Sequence, residues 1–116
     1  MSVPAAPSSP ITTHVLDTAK GRPAAGVPVA LYRLDERGAW EELGIGTTDA
    51  DGRCRTLMPE VPLPAGTYRL VFDTGAYHGP AAFYPEVAVV FVGERGGHYH
   101  VPLLLSPFGY STYRGS

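Results

Sequence analysis

The chain closes on Tyr113-Arg114-Gly115-Ser116, directly behind a strand-like run that begins His98-Tyr99-His100. Chain ends usually fray and carry nothing. This one sets a guanidinium and a hydroxyl close in sequence to two imidazoles, which are the parts of a site. Imidazole is the natural general base near neutral pH. A guanidinium fork holds a planar polar edge at two points. The chain has four histidines, His14, His78, His98 and His100, and Arg53 follows the turn-forming Asp49-Ala50-Asp51-Gly52.

Each of these residues also has a plainer reading. His98 and His100 share a strand parity, and His14 sits mid-strand, so all three could be half-exposed strand histidines. Together they could also make a three-His site of the zinc type. No nearby carboxylate is evident as an outer partner for such a site, and a metal is not expected. His78, in a proposed helix or loop, reads as a solvated surface residue. Arg53 could pair with Asp49 or Asp51, and Arg114 with the chain's own carboxylate. Asp49-Ala50-Asp51-Gly52 resembles the start of a calcium loop, but the remaining ligand pattern is missing. Ser116 lacks the Gly-x-Ser-x-Gly setting of a serine nucleophile. Cys54 reads as a small hydrophobe, buried or half-buried.

The elements that must position these residues are short. Twelve prolines and fourteen glycines interrupt the chain every few residues, which excludes long helices. Runs rich in Val, Leu, Tyr, Phe and Thr between the breaks read as strands: 11–17, 27–34, 40–48, 53–57, 67–73, 86–92, 99–105 and 110–114. The first puts Ile11, Thr13 and Val15 on one face and Thr12, His14 and Leu16 on the other. In the penultimate run Val101, Leu103 and Leu105 form the buried face, with His100, Pro102 and Leu104 pointing outward. Asp73 or Thr74 caps one short helix that Gly79-Pro80 stops. The apolar run 86–92 reads as a central strand. Pro102, which cannot donate to a ladder, implies an edge or a bulge. The pattern is an antiparallel β-sandwich.

A chain of 116 residues is one small domain. Its net charge of −2 gives no basic field, so nucleic acid is not an expected partner. No apolar run approaches the roughly 20 residues needed to span a bilayer, and no membrane partner is expected. Residues 1–10, rich in Pro, Ala and Ser, read as a disordered extension rather than a signal peptide. One cysteine rules out an internal disulfide framework. With no peroxisomal Ser-Lys-Leu address, a cytoplasmic location is expected.

Several segments together resemble the transthyretin-related family of 5-hydroxyisourate hydrolases. They are Ile11-Thr12-Thr13-His14-Val15-Leu16-Asp17-Thr18, 21–29, Thr48-Asp49-Ala50-Asp51-Gly52-Arg53-Cys54, Phe83-Tyr84-Pro85-Glu86-Val87, 98–107 and 110–116. The match covers nearly all of residues 11–116, and the terminal Tyr-Arg-Gly-Ser with the upstream His-x-His is specific to the enzymes. The resemblance implies an all-β sandwich of two four-stranded sheets with one short helix, and a homotetramer with sites in a channel between dimers. It implies hydrolysis of 5-hydroxyisourate to 2-oxo-4-hydroxy-4-carboxy-5-ureidoimidazoline in urate breakdown, without a cofactor. Carried over position by position, it puts the catalytic roles on His14, Arg53 and His100. Tyr113, Arg114, Gly115 and Ser116 would close the site on the substrate, and His98 fits the motif with a less defined role. The carrier alternative is a transthyretin-like protein that holds a small molecule in the channel. The mixed outward face with His100, Pro102 and Leu104 independently calls for burial against another subunit.

Overall fold

The computed structural model describes residues 8–116. Its strands are β1 (Ile11–Asp17), β2 (Arg22–Pro23), β3 (Pro28–Leu34), β4 (Trp40–Thr47), β5 (Arg53–Cys54), β6 (Gly66–Phe72), β7 (Val87–Gly93), β8 (Tyr99–Ser106) and β9 (Gly109–Thr112). One helix, α1 (Thr74–His78), runs into a 3-10 turn over Gly79–Ala81. Asp73 caps α1 by accepting from the Ala76 amide at 2.9 Å, as its position at the end of a strand predicts.

The strands form two layers. One sheet has the order β2-β1-β8-β9, with the two-residue β5 also on β1; the other is β4-β3-β6-β7. The first is a four-stranded layer with β5 added, which brings it to five. The expected sandwich is therefore present, with one difference in strand direction: β1 and β8 run parallel, from Ile11 beside Tyr99 to Asp17 beside Leu105. Parallel neighbours need a long crossover, and here the whole second sheet is inserted between them.

Period-two alternation builds the core. Ile11, Val15, Leu103, Leu105, Leu31, Leu70, Phe72 and Tyr68 are wholly or almost wholly buried between the layers. Thr13 joins this face because its hydroxyl donates to the Val101 carbonyl at 2.6 Å, which removes the cost of burying it. Asp17, also buried, accepts from the Tyr77 hydroxyl at 2.6 Å and from the Lys20 amide at 2.9 Å. Burial pushes its carboxyl up, but the Tyr77 hydroxyl, the Lys20 amide and the Lys20 charge together hold it below the ordinary value. The same burial and the Asp17 bond push the Tyr77 phenol up to about 12. This pair ties α1 to the end of β1.

Two expectations change. The apolar run at 86–92 is not central: β7 is the edge of its sheet, paired only with β6, and Val90 and Val92 are 57% and 73% exposed. Hydrophobicity alone does not separate a central strand from an edge that needs covering. Of the extension expected over residues 1–10, residues 1–7 lie outside the described residues. Ser9 and Pro10 are buried on the sheet instead. The Ser9 amide donates to the Arg55 carbonyl at 2.9 Å, and the Pro10 carbonyl accepts from the Tyr99 amide at 2.8 Å.

Candidate active site

The residues singled out by type converge on the outward face of the five-stranded sheet. The odd positions of β1 face the core, so Thr12, His14 and Leu16 face outward. On β8 the same alternation turns half-buried His100 and Leu104 outward, whereas Pro102, expected to point outward with them, is buried. Parallel pairing sets Thr12 beside His100 and His14 beside Pro102, which brings the His14 and His100 ring centroids to 6.4 Å. On the other side of β1, Arg53 of β5 lies opposite His14. Three strands distant in sequence thus place two imidazoles and a guanidinium in one patch.

The turn before β5 sets the position of Arg53. The Asp49 carboxylate accepts from the amides of Asp51 at 2.9 Å and Arg53 at 3.0 Å. The Arg53 amide bond is the main reason its pKa is lowered. Gly52 adopts φ +76°, and a Cβ there would stand 2.4 Å from the Val15 carbonyl oxygen. Only glycine allows both the left-handed backbone and that approach. Its carbonyl then accepts from the Val15 amide at 2.7 Å, which locks the turn to β1. The Asp-x-Asp-Gly segment is thus a device that sets Arg53 against His14.

His100 is held along two edges of its ring. Thr12 Oγ1 lies 2.8 Å from Nδ1. Gly115 bridges to His100 and donates its amide to the His100 carbonyl at 2.8 Å. A Cβ on Gly115 would stand 2.7 Å from His100 Cδ2, so the tail lies flat against the ring only because residue 115 has no side chain. Burial, and then the charges of Arg53, His14 and Arg55, push the His100 pKa below its ordinary value. The ring is therefore neutral near pH 7, as a proton acceptor must be.

Pro102 explains how the tail reaches this ring. Its carbonyl accepts from Thr112 Oγ1 at 2.7 Å, so its backbone faces β9. β8 pairs with β9 from Leu103 to Ser106 and regains a partner only at the His100–Gly115 bridge. The missing N–H falls in this gap. An interior strand thus has a local edge, and the chain swings out through Tyr113 and Arg114. The continuous strand expected over 110–114 ends at Thr112 for this reason.

The structure does not bring every expected residue to the patch. Arg114 and Tyr113 line a cleft of about 240 Å³ with Val90, Val92 and Tyr99 on the other side of the sheet. The Arg114 guanidinium stands 5.0 Å from the Tyr99 ring centroid. Gly115 returns to His100, while the Arg114 side chain lies on the Tyr99 ring instead of in the patch. His98 is exposed just before β8 and borders a depression of about 170 Å³ together with Thr12, His100 and Ser116. His78 ends α1, its ring edge-on to Tyr77 at 5.1 Å; it is half-buried rather than solvated. Among the described residues no group of three His, Cys, Asp or Glu is placed to hold a metal. Nor is any helix among them long and apolar enough to cross a membrane. Thr12 is the contact that reading the residues by type missed: its alternation with His14 was visible, but its place beside His100 depends on the parallel register.

The HIUase/Transthyretin family model matches residues 11–115. Over 114 residues the chain is 50% identical to the 5-hydroxyisourate hydrolase of Mus musculus, covering 94% of this chain and 97% of that protein. Solved structures share the fold. Sea bream transthyretin in complex with thyroxine superposes with a TM-score of 0.85 at 38% identity, covering 92% of this chain and 95% of that one. Klebsiella pneumoniae 5-hydroxyisourate hydrolase superposes with a TM-score of 0.78 at 40% identity, covering 91% and 98%. The thyroxine-bound protein fits the backbone somewhat better than the hydrolase does, so the fold does not separate the two and the side chains on the outward face must distinguish them.

Proposed function

The chain belongs to the HIUase/Transthyretin family, and on that footing we propose that it hydrolyses 5-hydroxyisourate, opening the ring to 2-oxo-4-hydroxy-4-carboxy-5-ureidoimidazoline in urate degradation. The observation that carries this reading is the patch itself, with His14 and His100 at 6.4 Å and Arg53 paired beside His14. The substrate is planar and rich in N–H and C=O edges. Hydrolysis of its cyclic amide needs a positioned water, a base for the water proton and a donor where oxyanion charge develops.

These groups supply each need. His100, with its pKa lowered, takes the proton as water adds to the carbonyl carbon. Arg53 stabilises the oxyanion of the tetrahedral intermediate. The carbon–nitrogen bond then breaks, and the ring nitrogen leaves with the proton that the imidazolium returns. His14, facing His100, orients the substrate or relays that proton. Exchanging the two histidines' roles leaves the chemistry unchanged. Arg114, on Tyr99, holds the tail so that Gly115 covers one edge of His100. His98 and Ser116 border the depression beside the ring, where the substrate's far edge can be recognised. The mechanism calls for no metal or organic cofactor.

The reading extends to assembly. β7 and β9 are unpaired edges of the two sheets, and the catalytic patch lies on an open face with half-buried Leu16 and Leu104. A homotetramer would cover the exposed valines of β7 and enclose the patch in a channel between dimers. Light scattering at micromolar concentration tests this; a monomer with full activity contradicts it. A reducing, cytoplasmic setting accords with buried, unpaired Cys54.

The likeness to the thyroxine-bound transthyretin keeps a carrier reading in view. A carrier channel needs apolar walls, whereas this face presents imidazoles and a guanidinium. The test is to generate 5-hydroxyisourate by urate oxidation and follow its absorbance with and without the protein. Faster decay with the protein supports the enzyme; unchanged decay supports the carrier.

A further inference from the structure

We infer that Thr12 is the positioning residue for His100: its hydroxyl holds the Nδ1 edge of the ring, accepts from Nδ1–H once the ring is protonated, and leaves Nε2 as the free edge. The inference rests on the reading of His100 as a proton-transfer group.

Two threonines stand side by side on β1 and do different work. Thr13 is buried and donates to the Val101 carbonyl at 2.6 Å, which ties one strand to its neighbour inside the core. Thr12 faces outward beside His100, and its Oγ1 lies 2.8 Å from the imidazole Nδ1. A β-branched side chain on a strand has few χ1 choices, so this hydroxyl is held where the register puts it.

The rest of the ring's surroundings sharpen the assignment. The Cδ2 edge is covered by the Gly115 backbone, and the Nδ1 edge by Thr12. The Nε2 edge is the one left for chemistry. A neutral imidazole accepts a proton at one nitrogen only, and the other must then carry the hydrogen. If Nε2 is the acceptor, Nδ1–H donates to Thr12 Oγ1. Once Nε2 takes the water proton, that contact becomes a charge-assisted hydrogen bond and is stronger in the imidazolium than in the free base. Thr12 thereby orients the ring and supports the charged state that forms during the reaction. The charged and titratable groups around the ring are His14 on β1, Arg53 and Arg55 on or after β5, and His98 before β8, with Ser116 of the tail beside them. Among them, Arg53, His14 and Arg55 disfavour the imidazolium, and the Thr12 hydroxyl, within hydrogen-bond distance of Nδ1, is an acceptor that opposes them.

The experiment compares Thr12→Val, which keeps the shape and removes the hydroxyl, with Thr12→Ser, which keeps the hydroxyl. Steady-state hydrolysis of freshly generated 5-hydroxyisourate is measured across pH, and the His100 ring is titrated by NMR. Thr12→Val is expected to lower kcat/KM by roughly tenfold to a hundredfold, part of the ~10²–10⁴ that a positioned base supplies. Its acidic limb and its His100 titration should both move to lower pH, because the imidazolium has lost its acceptor. Thr12→Ser should retain most of the rate and the unshifted limb. The inference is overturned if Thr12→Val matches the parent in rate and limb, if both variants lose activity equally, or if activity falls at every pH with the His100 titration unmoved. If Thr12→Val does not fold, Thr12→Ala is judged by the same readings. His100→Asn is the control: full activity in that variant would reject the His100 assignment itself and not Thr12 alone.

Discussion

Arg53 and Arg69 occupy matching places on opposite sides of the sandwich, each half-buried on the outward face of its sheet. Arg69 is enclosed by the chain's own aromatics, 4.5 Å from the Trp40 ring centroid and 4.9 Å from that of Tyr32. That is a structural use of a cation, worth about 0.5–2 kcal/mol. Arg53 instead stands across from His14, in a patch whose other members are a second imidazole and a threonine. One face has used its charge internally. The other has fixed its polar groups from behind, through the Asp49 turn, Thr12 and Gly115, and left their working edges free. This division between a finished surface and a prepared one locates the site more sharply than concavity does, since a depression of about 490 Å³ beside β4 borders none of His14, Arg53 and His100.

The contrast can be tested by removing the same side chain from each face. Arg53→Ala should lower kcat by about 10²–10³-fold, the usual cost of losing an oxyanion donor, with little change in melting temperature. Arg69→Ala should leave turnover unchanged and lower stability by about 1 kcal/mol in urea titration. Equal effects of the two on turnover would remove the distinction.

A smaller effect tests the preparation of the patch. Gly115→Ala inserts a methyl where His100 Cδ2 now lies 2.7 Å away and must displace the tail or the ring. A displacement on the order of 1 Å can cost up to ~10²-fold, so a loss of about tenfold in kcat/KM is expected with stability unchanged. Normal kinetics would mean that the tail does not support the ring.

The pH response follows from the lowered pKa of His100. A base acts when unprotonated, so activity persists as pH falls below the ordinary histidine value of 6.5 and is lost only through the lower, folded-state pKa. A kcat/KM profile whose acidic limb lies above that ordinary value contradicts the assignment.

The smallest expected effect concerns the support beneath the patch. Tyr77→Phe leaves the buried Asp17 carboxylate without its hydroxyl partner and should cost about 1–3 kcal/mol, with catalysis little changed. The Asp17 pKa is lowered by folding, so its contribution is present above its unfolded value of 3.8 and is lost as pH falls through the folded one. A thermal melt series from neutral pH to below 4 should show this loss in the parent and a weaker one in the variant.

Much of this was legible before the structure. The alternation of β1 and β8 marked both core faces and the outward turn of His14 and His100, because period two is a local property. The cap at Asp73 was equally local. What depended on pairing was hidden. Nothing in residues 11–17 and 99–105 states that they run parallel, so Thr12 could not be matched with His100. Pro102 signalled an edge, and the structure makes that edge local, a gap in one side of an interior strand. The run at 86–92 looks central because an apolar edge strand has the same composition as a core strand. Arg114 stands near the histidines in sequence, and its contact with the Tyr99 ring holds its guanidinium in the cleft beside Val90 and Val92.

The most direct test of the account is the decay of freshly generated 5-hydroxyisourate with the parent protein, His14→Asn and His100→Asn at equal folded concentration. The account predicts that at least one substitution slows turnover tenfold or more, within the ~10²–10⁴ range of a positioned base, with both variants melting like the parent. Turnover within tenfold of the parent in both would contradict it.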